Sequence, residues 1–378
     1  MCKIGLVVNP VAGIGGRVGL KGSDGAEIQA RARALGAEPQ AMRRAAMALT
    51  VLIQRLPELH VITYPGDMGA VSVAEANIPA AIIGHLPVRG TSAQDTIMAA
   101  RLMRSEGVDL ILFSGGDGTA RDIYQAVGSE FPVLGIPAGV KVHSGVFAAT
   151  PQAAGELAAR HIKSVKSGLQ LAEVLDIDER KYRQGVLATQ LYGYLTIPFH
   201  RRLITGVKTP SFGSDETVLK AIADEIVASM EPGWNYILGP GTTTGAVMLQ
   251  MGLPKTLLGV DVVRDGRVLA ADVNESQLLE YANGGNCRIL VAPIGGQGFV
   301  LGRGNQQISP TVIAAVGVRQ VTIISTPSKI FALQGKPLVV DTGDVHIDAE
   351  LAGMHRVITG ASETMIYLVE SVVTVEES

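Results

Sequence analysis

From residue 108 to residue 127 the chain reads Val108-Asp109-Leu110-Ile111-Leu112-Phe113, then Ser114-Gly115-Gly116-Asp117-Gly118-Thr119, then Ala120-Arg121-Asp122-Ile123-Tyr124-Gln125-Ala126-Val127. An apolar run of strand length, a turn carrying three glycines and a helix-like stretch predict strand, tight turn and helix in direct succession. That succession restricts the fold, because a strand feeding a helix in this way belongs to a βα unit of a parallel sheet. The glycines let backbone N–H groups approach an anion, and the helix start adds unpaired donors and a positive dipole end, so phosphate is the expected guest. The Asp117 carboxylate fits less easily, since it repels phosphate unless it meets a cation or takes a proton from a hydroxyl. The competing reading makes Asp117 a helix cap and nothing more.

The rest of the first 140 residues repeats the alternation. Strand-like runs at Lys3–Val8, His60–Tyr64, Ala80–Gly84, Val108–Phe113 and Val133–Ile136 alternate with helical patterns within Asp24–Gly36 and at Ala41–Leu56, Ser92–Ser105 and Thr119–Val127. The expected fold is therefore an α/β N-terminal domain, a Rossmann-like parallel sheet over residues 1–145, with ligands gathering at the carboxyl ends of its strands. Beyond residue 145 a helix near Thr150–Val165 gives way to short β-like runs, among them Arg183–Leu191, Thr256–Val263, Arg288–Ala292 and Thr364–Val369. A β-rich C-terminal domain over residues 146–378, rich in antiparallel strands, is expected there, its final residues able to return to the first domain.

Composition excludes several classes. The 378 residues are 47% hydrophobic and 18% charged, as in chains with large buried cores. A formal net charge of −3 and 4% aromatic residues leave neither a basic footprint nor stacking platforms for nucleic acid. Cys2 and Cys287 are too few for a disulfide framework, so a reducing compartment and a cytoplasmic location are expected. The run Ile4–Val8 is too short for a signal segment and no stretch has the length of a membrane span, so no membrane partner is expected.

Among phosphate-binding motifs, a Walker A pattern is absent, and Gly13-Ile14-Gly15-Gly16-Arg17-Val18 puts valine where a dinucleotide fingerprint needs its third glycine. Gly115-Gly116-Asp117-Gly118-Thr119, by contrast, resembles the signature of the NAD kinase and diacylglycerol kinase superfamily, in its proper strand-turn-helix setting. Asn9-Pro10-Val11-Ala12-Gly13 after the first strand resembles the opening motif of the lipid-kinase branch, and Pro137-Ala138-Gly139 fits the same superfamily. Gly239-Pro240-Gly241-Thr242-Thr243-Thr244-Gly245 lies where an NAD kinase carries its nucleotide loop. The longer run Phe113–Asp122, with Pro293–Gly298 and Gly302–Gln306, is similar to the ATP-NAD kinase-like group that includes the acetoin-catabolism protein AcoX.

This resemblance implies an NAD kinase-type fold over most of the chain and phosphoryl transfer from ATP, or polyphosphate, with Mg²⁺, to the 2′-hydroxyl of NAD. Another hydroxylated metabolite as acceptor, and a regulator that binds nucleotide without turnover, are the alternatives. The resemblance makes Asp117 the base or orienting group, Asn9, Gly115, Gly116, Gly118 and Thr119 the phosphate cradle, and Arg121 an added cation. Gly241 with Thr242, Thr243 and Thr244 becomes the second nucleotide loop. It also implies a homo-oligomer. One feature departs from the family pattern: the Asn-Glu pair expected between the two loops appears as Asn274-Glu275, after the second.

Between the loops lies Glu173-Val174-Leu175-Asp176-Ile177-Asp178-Glu179, where Glu173 or Asp176 replaces the pair or the acids form a charged strand face. Lys141 and His143 are read as neighbours on one strand face, lining the cleft between the domains. Gln297, Arg303 and Asn305 head the glycine-rich loops as candidate substrate contacts, Arg303 by its fork geometry. Asp341-Thr342-Gly343-Asp344 reads as a turn whose Asp caps its own backbone, and the scattered His85, His161, His200, His346 and His355 show no metal spacing.

Overall fold

In the computed structural model the described residues are 2–20, 26–86, 90–138, 142–163, 168–177, 189–200, 203–204, 216–256, 258–294 and 297–371. They form two compact units, Met1–Ile14 with Gly22–Val207 and Gly15–Lys21 with Lys208–Ser378. Residues 146–207, assigned from sequence to the second domain, cluster with the first unit, and a short N-terminal segment clusters with the second.

The first unit is built on β1 (Lys3–Val8), β2 (His60–Thr63), β3 (Ala80–Ile82), β4 (Leu110–Gly115) and β5 (Val133–Pro137), all parallel, in the order β3-β2-β1-β4-β5. Its helices are α1 (Ala26–Ala34), α2 (Ala41–Arg55), α3 (Ala70–Glu75), α4 (Ala93–Ser105), α5 (Asp117–Val127) and α6 (Pro151–Lys163). β4 is apolar on both sides because both faces of the sheet are covered. Leu110 and Leu112 join Leu49 of α2 and Leu157 of α6 in one core, whereas Ile111 and Phe113 join Met103 of α4 and Ile123 of α5 in the other. An antiparallel hairpin, β6 (Leu169–Ile177) and β7 (Thr189–Pro198), adds Ala172, Val174, Leu195 and Ile197 to that second core. The strand order reverses between β1 and β4, so their carboxyl ends, Val8-Asn9 and Gly115-Gly116, flank the switch point where such sheets bind ligands.

The second unit contains α7 (Glu216–Ala228), β8 (Asn235–Leu238), α8 (Thr242–Gln250), β9 (Asp261–Arg264), β10 (Arg267–Ala270), α9 (Glu275–Asn283), β11 (Cys287–Val291), β12 (Phe299–Leu301) and α10 (Pro310–Val316). It continues with β13 (Val321–Ile324), α11 (Pro327–Phe331), β14 (Leu338–Val340), α12 (Val345–Leu351), β15 (Gly353–Gly360) and β16 (Glu363–Ser371). One mixed sheet of nine strands runs β10-β9-β8-β11-β13-β15-β16-β14-β12. The antiparallel-rich expectation is corrected here. Antiparallel pairing joins β10-β9-β8 and β15-β16, while β8-β11-β13-β15 and β16-β14-β12 pair in parallel. Helices between the short strands act as crossovers that return the chain in the same direction, which a pattern of short apolar runs does not reveal.

Candidate functional site

Three sequence motifs of the first unit meet at the β1/β4 switch point. Asn9 closes a turn after β1, its side-chain oxygen accepting from the Val11 N–H (3.3 Å) while its amide donates to Thr119 Oγ1 in the first turn of α5 (2.9 Å). The Asn9 N–H donates to the Ser114 carbonyl (2.9 Å), and the Ala138 N–H to the Gly115 carbonyl (2.9 Å). Gly13, at φ +79°, lies so close to the Ala138 carbonyl that no side chain fits, and Gly115 is likewise pressed against the Thr119 side chain. Gly116 is the extended residue before α5, at φ −121° and ψ −164°. The first-turn N–H groups of α5, at Asp117, Gly118 and Thr119, have no carbonyl one turn earlier to bond within the helix. These unpaired donors and the positive end of the helix dipole lie together at the carboxyl end of β4.

Asp117 is 7% exposed and its carboxylate is engaged on both oxygens. Oδ2 accepts the His143 N–H at 2.8 Å, Oδ1 accepts the Ser144 N–H at 2.9 Å, and His143 Nδ1 stands 3.3 Å from Oδ2. His143, expected on a strand, is in irregular backbone, because its N–H bonds this carboxylate instead of a neighbouring strand. Lys141 lies outside the described residues, as do Gly139, Asp178 and Glu179.

The next residues fasten this loop to the hairpin. A β-bulge falls between Val174 and Leu175, where Tyr192 has no partner across the ladder, and bulges leave backbone groups unpaired. Beside it the Ser144 hydroxyl binds both backbone groups of Leu175, accepting from its N–H (2.9 Å) and donating to its carbonyl (2.8 Å). Gly145 N–H donates to the Glu173 carbonyl (3.0 Å). Asp176 is held in an ion pair with Arg121 (2.7 Å), whose guanidinium also lies 5.6 Å from the Tyr192 ring centre. Burial works against the Arg121 charge, but Asp176 and Asp122 outweigh it and hold the guanidinium pKa above its ordinary value. Arg121 and Asp176 therefore neutralise each other near the glycine turn, while Glu173 is half-buried next to Gly145.

In the second unit Gly239-Pro240-Gly241 links β8 to α8, with Gly241 at φ +121°. Thr242 is exposed, but Thr243 and Thr244 are buried. Thr244 Oγ1 donates to the Gly239 carbonyl (2.6 Å), and Thr243 Oγ1 accepts from Lys329 Nζ of α11 (2.8 Å). Asn274 spends its side chain as the N-cap of α9, accepting from the Gln277 N–H (3.0 Å) while Gln277 Oε1 accepts the Asn274 N–H (3.0 Å). Asn305 staples its own loop, accepting from the Gly302 N–H (3.0 Å) and donating to the Val300 carbonyl (2.8 Å). Arg303 is 5% exposed with its guanidinium 4.1 Å from the Phe299 ring centre, and Gln297 is half-buried beside Gly295 and Gly296, which lie outside the described residues. Asp344 caps α12 through the His346 and Ile347 N–H groups, as the turn reading expects.

Sequence reasoning missed Ser144 and Lys329. Ser144 matters because its hydroxyl meets the backbone of Leu175, 31 residues further on, and Lys329 because α11 carries it to Thr243; neither has a local signal.

Residues 4–165 match the family described as ATP-NAD kinase N-terminal domain, and residues 233–369 match the ATP-NAD kinase C-terminal domain, in that order. The chain belongs to the ATP-NAD kinase family. The glycine turn, the β1/β4 switch point and the His143–Ser144 latch fall in the first matched segment, and the threonine loop in the second. The ATP-NAD kinase fold, an α/β unit with a parallel sheet followed by a β-rich unit, accounts for both units described above. No curated protein and no solved structure matches the chain significantly. Among the described residues no helix is long and apolar enough to cross a membrane, and no group of three or more His, Cys, Asp or Glu can hold a metal ion.

Proposed function

We propose that the chain transfers the terminal phosphate of ATP to the 2′-hydroxyl of NAD. The observation that carries this reading is the convergence of Asn9, Gly115–Thr119 and Asp117 at the β1/β4 switch point. On this reading Asn9, Gly116, Gly118 and Thr119 hold phosphate oxygens through the α5 N-terminus, with Gly115 needed for the tight approach to Thr119. Asp117 is the base or orienting group for the attacking hydroxyl, while Gly241 and Thr242 offer the second nucleotide contact. Phosphoryl transfer needs positioning and charge neutralisation more than covalent chemistry, which suits a site made largely of backbone donors. Mg²⁺ on the nucleotide phosphates would supply further charge neutralisation. Polyphosphate presents the same terminal group as ATP. Membership of the AcoX-containing group, a homo-oligomeric state and a cytoplasmic location belong to the same proposal.

A second reading keeps the kinase and changes the acceptor to another hydroxylated metabolite. The capping role of Asn274 favours it, since the asparagine of the displaced Asn-Glu pair is here committed to α9. Incubation with ATP, Mg²⁺ and a metabolite panel that includes NAD separates the two. NADP is expected; a different phosphorylated product with no NADP would replace the first acceptor by the second reading.

A further inference from the structure

We infer that Asp117 and His143 form a dyad in which the imidazole, through Nε2, is the group that takes the proton from the acceptor hydroxyl. The inference rests on the phosphotransferase reading and assigns its proton transfer to a different residue. Asp117 already accepts two backbone N–H groups, one on each oxygen, and so is committed to holding the 143–144 backbone. The same carboxylate has Oδ2 3.3 Å from Nδ1 of a histidine that is 4% exposed. A carboxylate facing Nδ1 holds the proton on that nitrogen and leaves Nε2 as the acceptor, an arrangement that turns a buried imidazole into an oriented base.

The surroundings support that polarity. Among the described residues Asp117 on α5 faces the ring, Asp176 of β6 is paired to Arg121 of α5, and Glu173 of β6 lies beside Gly145. The imidazolium formed on proton uptake thus faces a carboxylate. In the step itself the hydroxyl proton passes to Nε2, the hydroxyl oxygen bonds the terminal phosphorus, and the bridging P–O bond breaks with its electron pair leaving on ADP. The proton then departs to solvent.

His143→Gln tests the assignment cleanly, because both backbone donors to Asp117 remain when only the side chain changes. General acid–base catalysis contributes about 10²–10⁴-fold, so kcat is expected to fall about 100-fold or more while KM for ATP stays within about 3-fold. The ascending acid limb of the wild-type pH–kcat profile should vanish in the variant, and added imidazole should restore part of the rate of His143→Ala. Retained kcat, or an unchanged acid limb, would overturn the assignment. Nitrogen-15 NMR of the wild-type histidines provides a readout independent of turnover: the Nδ1–H tautomer with bare Nε2 is expected for His143, and the Nε2–H tautomer would overturn the dyad. Wild-type protein with the expected tautomer but no transfer to any acceptor would instead overturn the phosphotransferase reading, and with it the proton transfer.

Discussion

Replacing Asp117 by Asn should cost folding stability as well as turnover, and the size of that cost follows from its partners. The carboxylate is buried and accepts the N–H groups of His143 and Ser144 on separate oxygens. An Asn in the same place keeps one acceptor and turns an NH₂ group toward the other donor, which strands one buried N–H. A stranded buried donor costs about 1–3 kcal/mol, and exchanging a charged acceptor for a neutral one in the remaining bond costs up to about 1 kcal/mol more. Asp117→Asn is thus expected to lose about 2–3 kcal/mol, and Asp117→Ala, which strands both donors, about 4 kcal/mol. For a domain of this size about 2–4 °C of Tm goes with each kcal/mol, so the Asn variant should melt about 5–10 °C below wild type, with a matching drop in the urea midpoint of the first transition. Its nucleotide affinity below the transition should stay within a few-fold while turnover disappears. A variant that melts within about 1 °C of wild type would refute the reading of Asp117 as the anchor of the 142–145 loop. Unchanged turnover would remove it from the chemistry.

A Cβ at Gly115 would press on Thr119 Oγ1 and lie 2.7 Å from its Cγ2, so Gly115→Ala should destabilise by about 1–3 kcal/mol, with Thr119→Ala, which removes both atoms, recovering part of the loss in the double variant; additive penalties by urea titration would contradict this. Asn274→Ala removes the α9 cap and should cost about 1 kcal/mol while leaving KM for NAD unchanged, whereas a selective rise in KM would return Asn274 to the substrate site. Asp348 has its pKa raised above the ordinary 3.8 by burial, against the Thr342 hydrogen bonds and with help from Asp341 and Asp344. A carboxyl with a raised folded pKa stabilises fully below its unfolded pKa and loses that contribution as pH climbs through the folded value. Because both Thr342 donors use Oδ1, Asp348→Asn retains them, and it should match or exceed wild-type stability at pH 7 while flattening the pH dependence just above 3.8; a marked loss at pH 7 would contradict this.

The parts of the molecule legible from sequence are those whose signals are local. β4 and α5 were readable because an apolar run, three glycines and an amphipathic stretch each carry their own propensity, and the parallel sheet followed from their alternation. The unpaired donors of the glycine turn were readable because they belong to the turn itself. Long-range features were not: nothing near Asp117 announces that His143 and Ser144 will donate to it, and nothing near Ser144 announces that its hydroxyl will bond the backbone of Leu175. Arg121 looked like a spare cation because Asp176 lies fifty-five residues away in sequence, and only the packing of the hairpin on α5 brings them to 2.7 Å. The second unit's strand directions were hidden for the same reason, since parallel and antiparallel neighbours differ in how the chain returns and not in the strands' composition.

Phosphorus-31 NMR of the wild-type protein with ATP, Mg²⁺ and NAD tests the central claim most directly, because it follows the transferred group itself. The γ-phosphate resonance should decline in step with a new ribose 2′-monoester resonance, with ADP formed in equal amount. Release of inorganic phosphate alone, or an ATP spectrum that does not change while the protein remains folded, would contradict it.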